Sequence, residues 1–253
     1  MKDPETRKHG DTEKSIAHES AWLLVSPSSC LPQQRGAIIL CGGRSTRMGR
    51  DKASLSFGPG ETILGRVVRI LREVVPAEKI VCVAALGQSL PPLPKEVRIV
   101  IDNIADAGPL AGLARGLASL ARETEVVYAA GCDSPLLMPA FVERIFQLLG
   151  DGPIAAPHDG RHWHSLAAVY RPAVASVAQS LLAAGEHSLT ALLNAVATRR
   201  VTLDELREVD PDLASLATCN TMDEYQSALR LAGLLSEIDA AATPSLSNAS
   251  RRA

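Results

Sequence analysis

The sequence predicts a Rossmann-like three-layer α/β/α fold, in which a mostly parallel central sheet carries helices on both faces. Short apolar runs alternate with segments of helical spacing between about residues 36 and 235, as in α/β proteins with parallel sheets. Residues 126–130 are continuously apolar, which is typical of a central strand buried on both faces. A chain of 253 residues, 46% hydrophobic and 21% charged, can bury the core that such a sheet needs.

Strands are predicted where short apolar runs end at glycine, proline or polar residues. In chain order, the strands and extended segments cover residues 37–41, 79–85, 97–101, 126–130, 154–156, 166–170, 200–203 and 216–219. Residues 54–57 form either a further short strand or a turn.

Helices are predicted where apolar residues recur at every third or fourth position. In chain order, they cover residues 62–75, 110–121, 139–149, 172–184, 188–197 and 222–235. Thr62 and Ser188 are candidate N-caps, and Pro172 stands in a first turn, where proline is tolerated.

The ends of the chain differ in composition from its middle. Residues 1–34 mix charges with proline and serine and lack periodicity, so we expect a disordered extension there. Residues 239–253 are rich in alanine and serine, which predicts a flexible tail. A single domain over residues 35–238 is the expected organisation.

Composition excludes several classes of function. A net charge of −2 provides no overall basic field for nucleic acid, and 3% aromatic residues argue against a base-stacking surface. No apolar run reaches the ~18 residues that span a bilayer, and residues 1–20 lack the apolar segment of a signal peptide. The five cysteines are scattered without a C-x-x-C pair, which indicates reduced thiols. We therefore expect a cytoplasmic protein that binds neither nucleic acid nor membrane.

Four polar or glycine positions directly follow predicted strands: Gly42, Asp102, Asp133 and Asn220. Ligands of open α/β sheets bind outside the carboxyl ends of the strands. These four positions are therefore expected at one edge of the sheet.

The loop after the first strand has the pattern G-G-x-S-x-R-M-G-x-D-K, with Arg44, Arg47 and Arg50 inside it. Gly42 and Gly43 lack a Cβ and can adopt positive φ, so their N–H groups can approach an anion, and Lys52 adds a cation. The spacing is neither that of a P-loop nor that of a dinucleotide fingerprint. The loop indicates a phosphate site; the alternative is a solvated surface loop.

Two acidic residues at strand ends are further candidates. Asp133, in Cys132-Asp133-Ser134-Pro135, either binds Mg²⁺ or caps the following turn. Asp102 either accepts from a ribose hydroxyl or a base N–H, or begins a turn. The glycines of residues 108–112 permit a flat base to lie against the backbone, or simply open a helix.

Other reactive side chains carry weaker signals. A polar segment over residues 158–164 contains three histidines and Asp159, but its spacing is not that of a zinc motif, so contact with an anionic second substrate or with solvent is favoured. Ser134 lacks the G-x-S-x-G setting of a hydrolase nucleophile. Cys41 and Cys132 fit a role as small buried apolar residues better than one in catalysis.

Taken together, these motifs resemble those of the MobA-like nucleotidyltransferases, and within them the molybdenum cofactor guanylyltransferases. The resemblance spans about residues 36–235 and starts with the loop from Gly42 to Lys52. Its other elements are Asp102 with the Gly-Pro-Leu-Ala-Gly of residues 108–112, the C-D-S-P of residues 132–135, the D-G-R of residues 159–161 with 166–170, and Asn220-Thr221. Thr218 and Met222 depart from the family's N-x-N-T-P pattern.

The resemblance implies a nucleotidyltransferase fold and a Mg²⁺-dependent transfer of GMP from GTP to Mo-molybdopterin, with release of pyrophosphate. The GTP-binding residues that it implies are Leu40, Cys41, Gly42, Gly43, Lys52, Asp102 and Asp133. The catalytic residues are Lys52, Asp133 and Arg47, and the metal ligands are Asp133 and Asn220. Molybdoenzyme-maturation proteins are a further class of partner. The alternatives are a related transferase that uses CTP or a sugar phosphate, and a non-catalytic nucleotide-binding accessory protein.

Overall fold

The fold is built around one seven-stranded sheet. The structure is a computed structural model that describes residues 31–42, 51–102 and 108–235. The strands are β1 (Arg35–Leu40), β2 (Ile80–Ala85), β3 (Arg98–Asp102), β4 (Val126–Gly131), β5 (Ile154–Pro157), β6 (Ala167–Tyr170) and β7 (Thr198–Val201). Their spatial order is β3-β2-β1-β4-β6-β5-β7.

Helices follow most of the strands. The α-helices are α1 (Ile63–Leu71), α2 (Gly108–Leu120), α3 (Pro139–Leu148), α4 (Ala175–Ala183), α5 (Leu189–Ala195), α6 (Leu203–Arg207) and α7 (Met222–Leu231). The predicted caps are confirmed, since the Thr62 side chain accepts from Gly65 N–H and the Ser188 side chain from Thr190 N–H. Helix α6 was not predicted; it begins with a capping box of Thr202 and Glu205.

The pairing is mostly parallel, as predicted. Strands β3, β2, β1 and β4 are parallel neighbours, and β5 is parallel to β7. Strand β6 is antiparallel to both β4 and β5. The chain runs from β1 outward to β2 and β3 and then returns to β4 on the other side of β1. This topological switch point opens a crevice between the carboxyl ends of β1 and β4.

Two apolar cores cover the two faces of the sheet. One lies under α1 and α3 and contains Tyr128, and the other lies under α2, α4 and α5 and contains Val127. Every residue of β4 is buried, which confirms the expectation of a central strand covered on both faces. A smaller third cluster packs α7 through Leu229 against Phe57. These layers confirm the three-layer α/β fold.

One predicted strand is absent from the described structure, and the segment predicted as a strand or a turn is not a strand. Residues 216–219 do not form a strand; Ala214–Leu216 is a 3₁₀ helix instead. Its cause is the buried Asp210, whose carboxylate accepts from the backbone N–H groups of Ala214 and Ser215 at 3.0 and 2.8 Å and winds the chain into a turn. Residues 54–57 make only an isolated bridge, from Ser56 to Thr62.

Both chain ends extend outside the described residues. The predicted extension over residues 1–34 is described only from residue 31, and the predicted tail over 239–253 is not described, so both stay predictions. Within the described ranges, no helix has the length and apolar character needed to cross a membrane.

Candidate active site

An open cleft of about 240 Å³ occupies the crevice at the carboxyl ends of β1 and β4. The described residues that line it are Leu40, Cys41, Gly42, Asp51, Lys52, Pro109, Gly131, Cys132, Asp133, Leu166 and Asn220. The sequence-predicted Gly42, Lys52, Asp133 and Asn220 therefore meet in one place. The end of β1, the turn after β4 and the segment at Asn220 therefore lie at one edge of the sheet.

Lys52 projects into the cleft from a 3₁₀ helix, Lys52–Ser54. Asp51 caps this helix by accepting from Ala53 N–H at 3.0 Å. The Lys52 Nζ atom donates to Asn220 Oδ1 at 2.7 Å and lies 3.4 Å from Asp133 Oδ2. The ammonium group is thus held between a carboxylate and an amide oxygen, where an incoming anion can reach it.

Asp133 lies in the turn that follows β4, and its carboxylate lies close to Gly131, the last residue of that strand. A Cβ added to Gly131 would lie 2.5 Å from Asp133 Oδ1, so only glycine leaves room for the carboxylate. The turn is anchored to β1 by a hydrogen bond from Cys132 N–H to Leu40 O at 3.1 Å, and to α1 by one from Arg66 Nε to Pro135 O at 2.7 Å. The carboxylate therefore sits on a rigid support.

Asn220 does not follow a strand, yet it reaches the cleft. The Cys219 N–H donates to Asp133 O at 2.8 Å, which ties this segment to the turn after β4. Asn220 Nδ2 donates to Thr218 Oγ1 at 2.8 Å, which turns Oδ1 toward Lys52. The Thr218 that departs from the family pattern thus orients this amide.

The capping box of α7 holds the backbone of the same segment. Thr221 accepts from Glu224 N–H, and the Glu224 carboxylate accepts from the N–H groups of Asn220 and Thr221 at 2.7 and 2.9 Å. These backbone hydrogen bonds, first that from Asn220, lower the pKa of Glu224.

The thiols near the cleft are buried, as the sequence indicated for Cys41 and Cys132. Hydrogen bonds with the Cys132 and Cys82 thiols, and then burial, raise the pKa of Cys41 well above its usual value. Burial, followed by the charges of Asp133 and Glu224, raises the pKa of Cys219 to about 12. Neither Cys41 nor Cys219 therefore has the lowered pKa of a nucleophilic thiolate.

Gly42 and Asp102 were both expected in the nucleotide site, and the structure places them differently. Gly42 is exposed at the end of β1 and its φ is not positive, so it gives access to the backbone through its missing Cβ and not through a left-handed conformation. Asp102 is the last residue of β3, with Oδ2 close to Gly112, and it is not among the described residues lining the cleft. Its contact with the nucleotide stays a prediction. Gly43, Arg44, Arg47 and Arg50 lie outside the described residues.

The polar segment after β5 forms a short hairpin, which we call the 158–164 hairpin. Asp159 Oδ1 accepts from the backbone N–H groups of His162 and Arg161 at 2.7 and 2.8 Å, and these bonds lower the pKa of Asp159 to about 2. Burial lowers the pKa of His164. No group of three or more His, Cys, Asp or Glu with a metal-binding arrangement occurs in the described ranges. The structure therefore gives no support to zinc at this hairpin.

Three cleft residues had no individual role in the sequence interpretation, although Pro109 and Leu166 lie within its motifs at residues 108–112 and 166–170. Pro109 and Leu166 line the cleft from α2 and from the segment before β6, and Gly131 makes room for Asp133. Only Gly131 carried a usable signal, because a glycine that ends a buried strand two residues before an aspartate suggests close approach.

The oxygen atoms of Asp133 and Asn220 fit a magnesium ion bound together with a nucleotide. Mg²⁺ prefers oxygen ligands and is commonly held by one or two carboxylates plus substrate phosphates. Both side chains present oxygens to one point, the position that the Lys52 ammonium contacts. The two oxygen donors are therefore chemically suited to Mg²⁺.

Comparison with known proteins relates this chain to one family of transferases. The model of the MobA-like NTP transferase domain matches residues 37–205. A probable molybdenum cofactor guanylyltransferase of Mycobacterium avium is 37% identical over 194 residues, 73% of this chain and 95% of the relative. One of Mycobacterium marinum is 33% identical over 197 residues, 76% and 92% of the two chains.

Solved structures share the fold. Molybdopterin-guanine dinucleotide biosynthesis protein A from Archaeoglobus fulgidus superposes with a TM-score of 0.63 at 19% identity, over 78% of this chain and 98% of that one. A 2-C-methyl-D-erythritol 4-phosphate cytidylyltransferase from Thermus thermophilus gives 0.59 at 15% identity, over 79% and 99%. At these identities the likeness concerns the fold alone.

Proposed function

This chain belongs to the MobA-like NTP transferase family, and from that membership we propose that it transfers GMP from GTP to Mo-molybdopterin. The products are Mo-molybdopterin guanine dinucleotide and pyrophosphate, so the reaction belongs to molybdenum cofactor biosynthesis. The proposal draws its substrates from the relatives named as molybdenum cofactor guanylyltransferases.

The observation that carries the proposal is the meeting of Lys52, Asp133 and Asn220 at the switch point of the sheet. A cation and two oxygen donors at the carboxyl end of a parallel sheet form a site for a nucleotide triphosphate and its metal ion. The pKa values of the Cys41 and Cys219 thiols are raised, so neither is an activated nucleophile.

The reaction needs no protein nucleophile. A phosphate oxygen of Mo-molybdopterin attacks the α-phosphorus of GTP; the new P–O bond forms as the bond to the bridging oxygen of the β-phosphate breaks, and pyrophosphate leaves with that electron pair. Lys52 stabilises the negative charge on the triphosphate, and the exposed backbone at Gly42 lets the phosphates approach. Catalysis is then mainly positioning and charge stabilisation.

Asp133, with Asn220 beside it, would hold Mg²⁺, which when bound neutralises charge on the phosphate oxygens. In the structure the Lys52 ammonium contacts both oxygens. The ammonium group has three N–H donors, so it can contact a phosphate in addition to these two oxygens.

The proposal is tested by pyrophosphate release with GTP, CTP, ATP and UTP, each with Mo-molybdopterin and Mg²⁺. We expect GTP to give the highest kcat/KM and the guanine dinucleotide to be the product by mass spectrometry. A clear preference for CTP would overturn the guanylyl assignment in favour of a cytidylyltransferase of the same fold.

A further inference from the structure

Gln88 lies in the turn that follows β2, outside every motif of the sequence interpretation. Ala85 O accepts from Gln88 N–H at 3.0 Å, and Gly87 has φ +77°. A positive φ at the third position is the mark of a type II turn and explains the glycine there. The turn directs the Gln88 side chain back over the end of the sheet, toward β1.

The Gln88 amide makes three well-formed hydrogen bonds. Oε1 accepts from Ala85 N–H at 3.0 Å, and Nε2 donates to Cys41 O and to Asp51 Oδ2, both at 2.9 Å. Reversing the amide would place an oxygen against two oxygens and an NH₂ group against an N–H, so the network determines its orientation. The side chain thereby joins the ends of β1 and β2 to Asp51.

Asp51 transmits this connection to Lys52. While Oδ2 receives Gln88, Oδ1 accepts from Ala53 N–H at 3.0 Å and begins the 3₁₀ helix Lys52–Ser54. Lys52 is the first residue of that helix, and its Nζ atom reaches Asn220 at 2.7 Å. The direction of the ammonium group thus depends on a carboxylate that Gln88 holds in place.

We propose that Gln88 is a positioning residue for Lys52, acting through Asp51, and that it also fixes the backbone of Cys41 at the cleft. A neutral amide is required, because a carboxylate at this position would face the Cys41 carbonyl and the Asp51 carboxylate. A lysine would lack the acceptor for Ala85 N–H. This proposal depends on the proposed function in one respect, which is the reaction in which Lys52 takes part.

The kinetic test compares Gln88→Ala and Gln88→Glu with Leu86→Ala, a control in the same turn whose side chain is 70% exposed. We expect kcat/KM for GTP to fall about 10- to 100-fold in Gln88→Ala, because small displacements of a charge-stabilising group are costly. Gln88→Glu should lose more, and Leu86→Ala should stay within about twofold. Equal effects in Gln88→Ala and the control would overturn the proposal.

A double-variant cycle separates positioning from general stability. If Gln88 acts through Lys52, adding Gln88→Ala to Lys52→Met should lower kcat/KM by less than about twofold further, because residues that act as a unit are not additive. A full additional 10- to 100-fold loss would show that Gln88 acts independently of Lys52 and would overturn the proposal. Thermal melting of each variant checks that the fold is kept.

Amide hydrogen exchange tests the connection without any substrate. In Gln88→Ala, the amides of Ala85 and Ala53 should exchange about 10-fold faster than in the wild type and in Leu86→Ala, because their local opening becomes easier. Unchanged exchange would overturn the structural connection itself. Absence of GTP turnover in the wild-type protein would instead contradict the proposed function, so the two failures are distinguishable.

Discussion

The cleft and the 158–164 hairpin are both polar, and both lie at the same edge of the sheet, but they are held together in different ways. In the cleft, Lys52 meets Asp133 and Asn220 across 81 and 168 residues of sequence. In the hairpin, Asp159 binds backbone groups only two and three residues away. The cleft therefore depends on contacts between distant segments. The Asp159 carboxylate depends on contacts inside the hairpin, although the base of the hairpin is also held to β7 by a hydrogen bond from His158 N–H to Val201 O at 3.0 Å.

This difference predicts where substitutions will be costly. The backbone that carries the cleft residues is supported by partners on other segments, such as the Cys219 N–H that donates to Asp133 O. A substitution in the cleft displaces a side chain, and residues nearby in sequence cannot return it to its position. The exposed hairpin can rearrange locally and at little cost, so its substitutions should leave the cleft unchanged.

Replacement of Asp133 by alanine should show the largest effect. We expect kcat for GTP to fall about 10²- to 10³-fold, because the substitution removes the carboxylate that would hold Mg²⁺. The side chain is 21% exposed, so folding should be retained. Turnover is measured by pyrophosphate release and folding by circular dichroism, with the exposed Asp151→Ala as the matched control.

Full GTP turnover in Asp133→Ala would contradict the expected difference between the cleft and the 158–164 hairpin. It would show that this carboxylate is dispensable for turnover. Binding of GTP without any turnover in the wild-type protein would instead favour the alternative of a non-catalytic nucleotide-binding accessory protein.

The second prediction concerns Gly131, whose only role is to leave space. In Gly131→Ala the new methyl group would stand 2.5 Å from Asp133 Oδ1, so the carboxylate must move. We expect a loss of about 10- to 100-fold in kcat with Mg²⁺ affinity reduced, measured by kinetics and by Mg²⁺ titration with GTP present. Gly152→Ala is the control, because its nearest atoms lie at 3.6 Å or more. Equal behaviour of the two variants would contradict the steric argument.

Asn220→Ala should have a smaller effect. It removes the amide oxygen that Lys52 contacts at 2.7 Å but leaves Asp133 in place. We expect kcat/KM for GTP to fall about 10-fold, the scale of one hydrogen bond to a charged group. Thr218→Val should follow in the same direction and by less, since it removes only the partner that orients the amide. A larger loss in Thr218→Val than in Asn220→Ala would contradict this order.

The smallest effect is expected in the hairpin. The pKa of Asp159 is lowered to about 2, so its backbone hydrogen bonds stabilise the hairpin fully above about pH 4, the usual range for aspartate. This stabilisation is lost as the pH falls toward 2. A ¹³C NMR titration of the carboxyl group should give the low value, and Asp159→Ala should keep GTP turnover within about twofold at pH 7. A loss comparable to that of Asn220→Ala would show that the hairpin and the cleft are coupled.

Much of the fold could be predicted because its signals are local. Alternating apolar runs located most of the strands, and caps such as Thr62 and Ser188 located helix starts, since each depends on residues within a few positions. The strand predicted over 216–219 failed because a short apolar run does not distinguish a strand from a turn. There the buried Asp210 accepts from the N–H groups of Ala214 and Ser215 and winds residues 214–216 into a 3₁₀ helix, and residues 217–219 are irregular.

For the site, residue type and order in the chain were sufficient to identify Lys52, Asp133 and the family. In a protein with this sheet, a cation after a glycine loop and an aspartate after a buried strand are both expected at the carboxyl ends of the strands, where ligands bind. The packing of distant segments decided the rest: the reach of Asn220 without a strand before it, the space at Gly131 and the bridge made by Gln88. Those features depend on distances between atoms that are far apart in sequence, and no periodicity or spacing along the chain encodes such a distance.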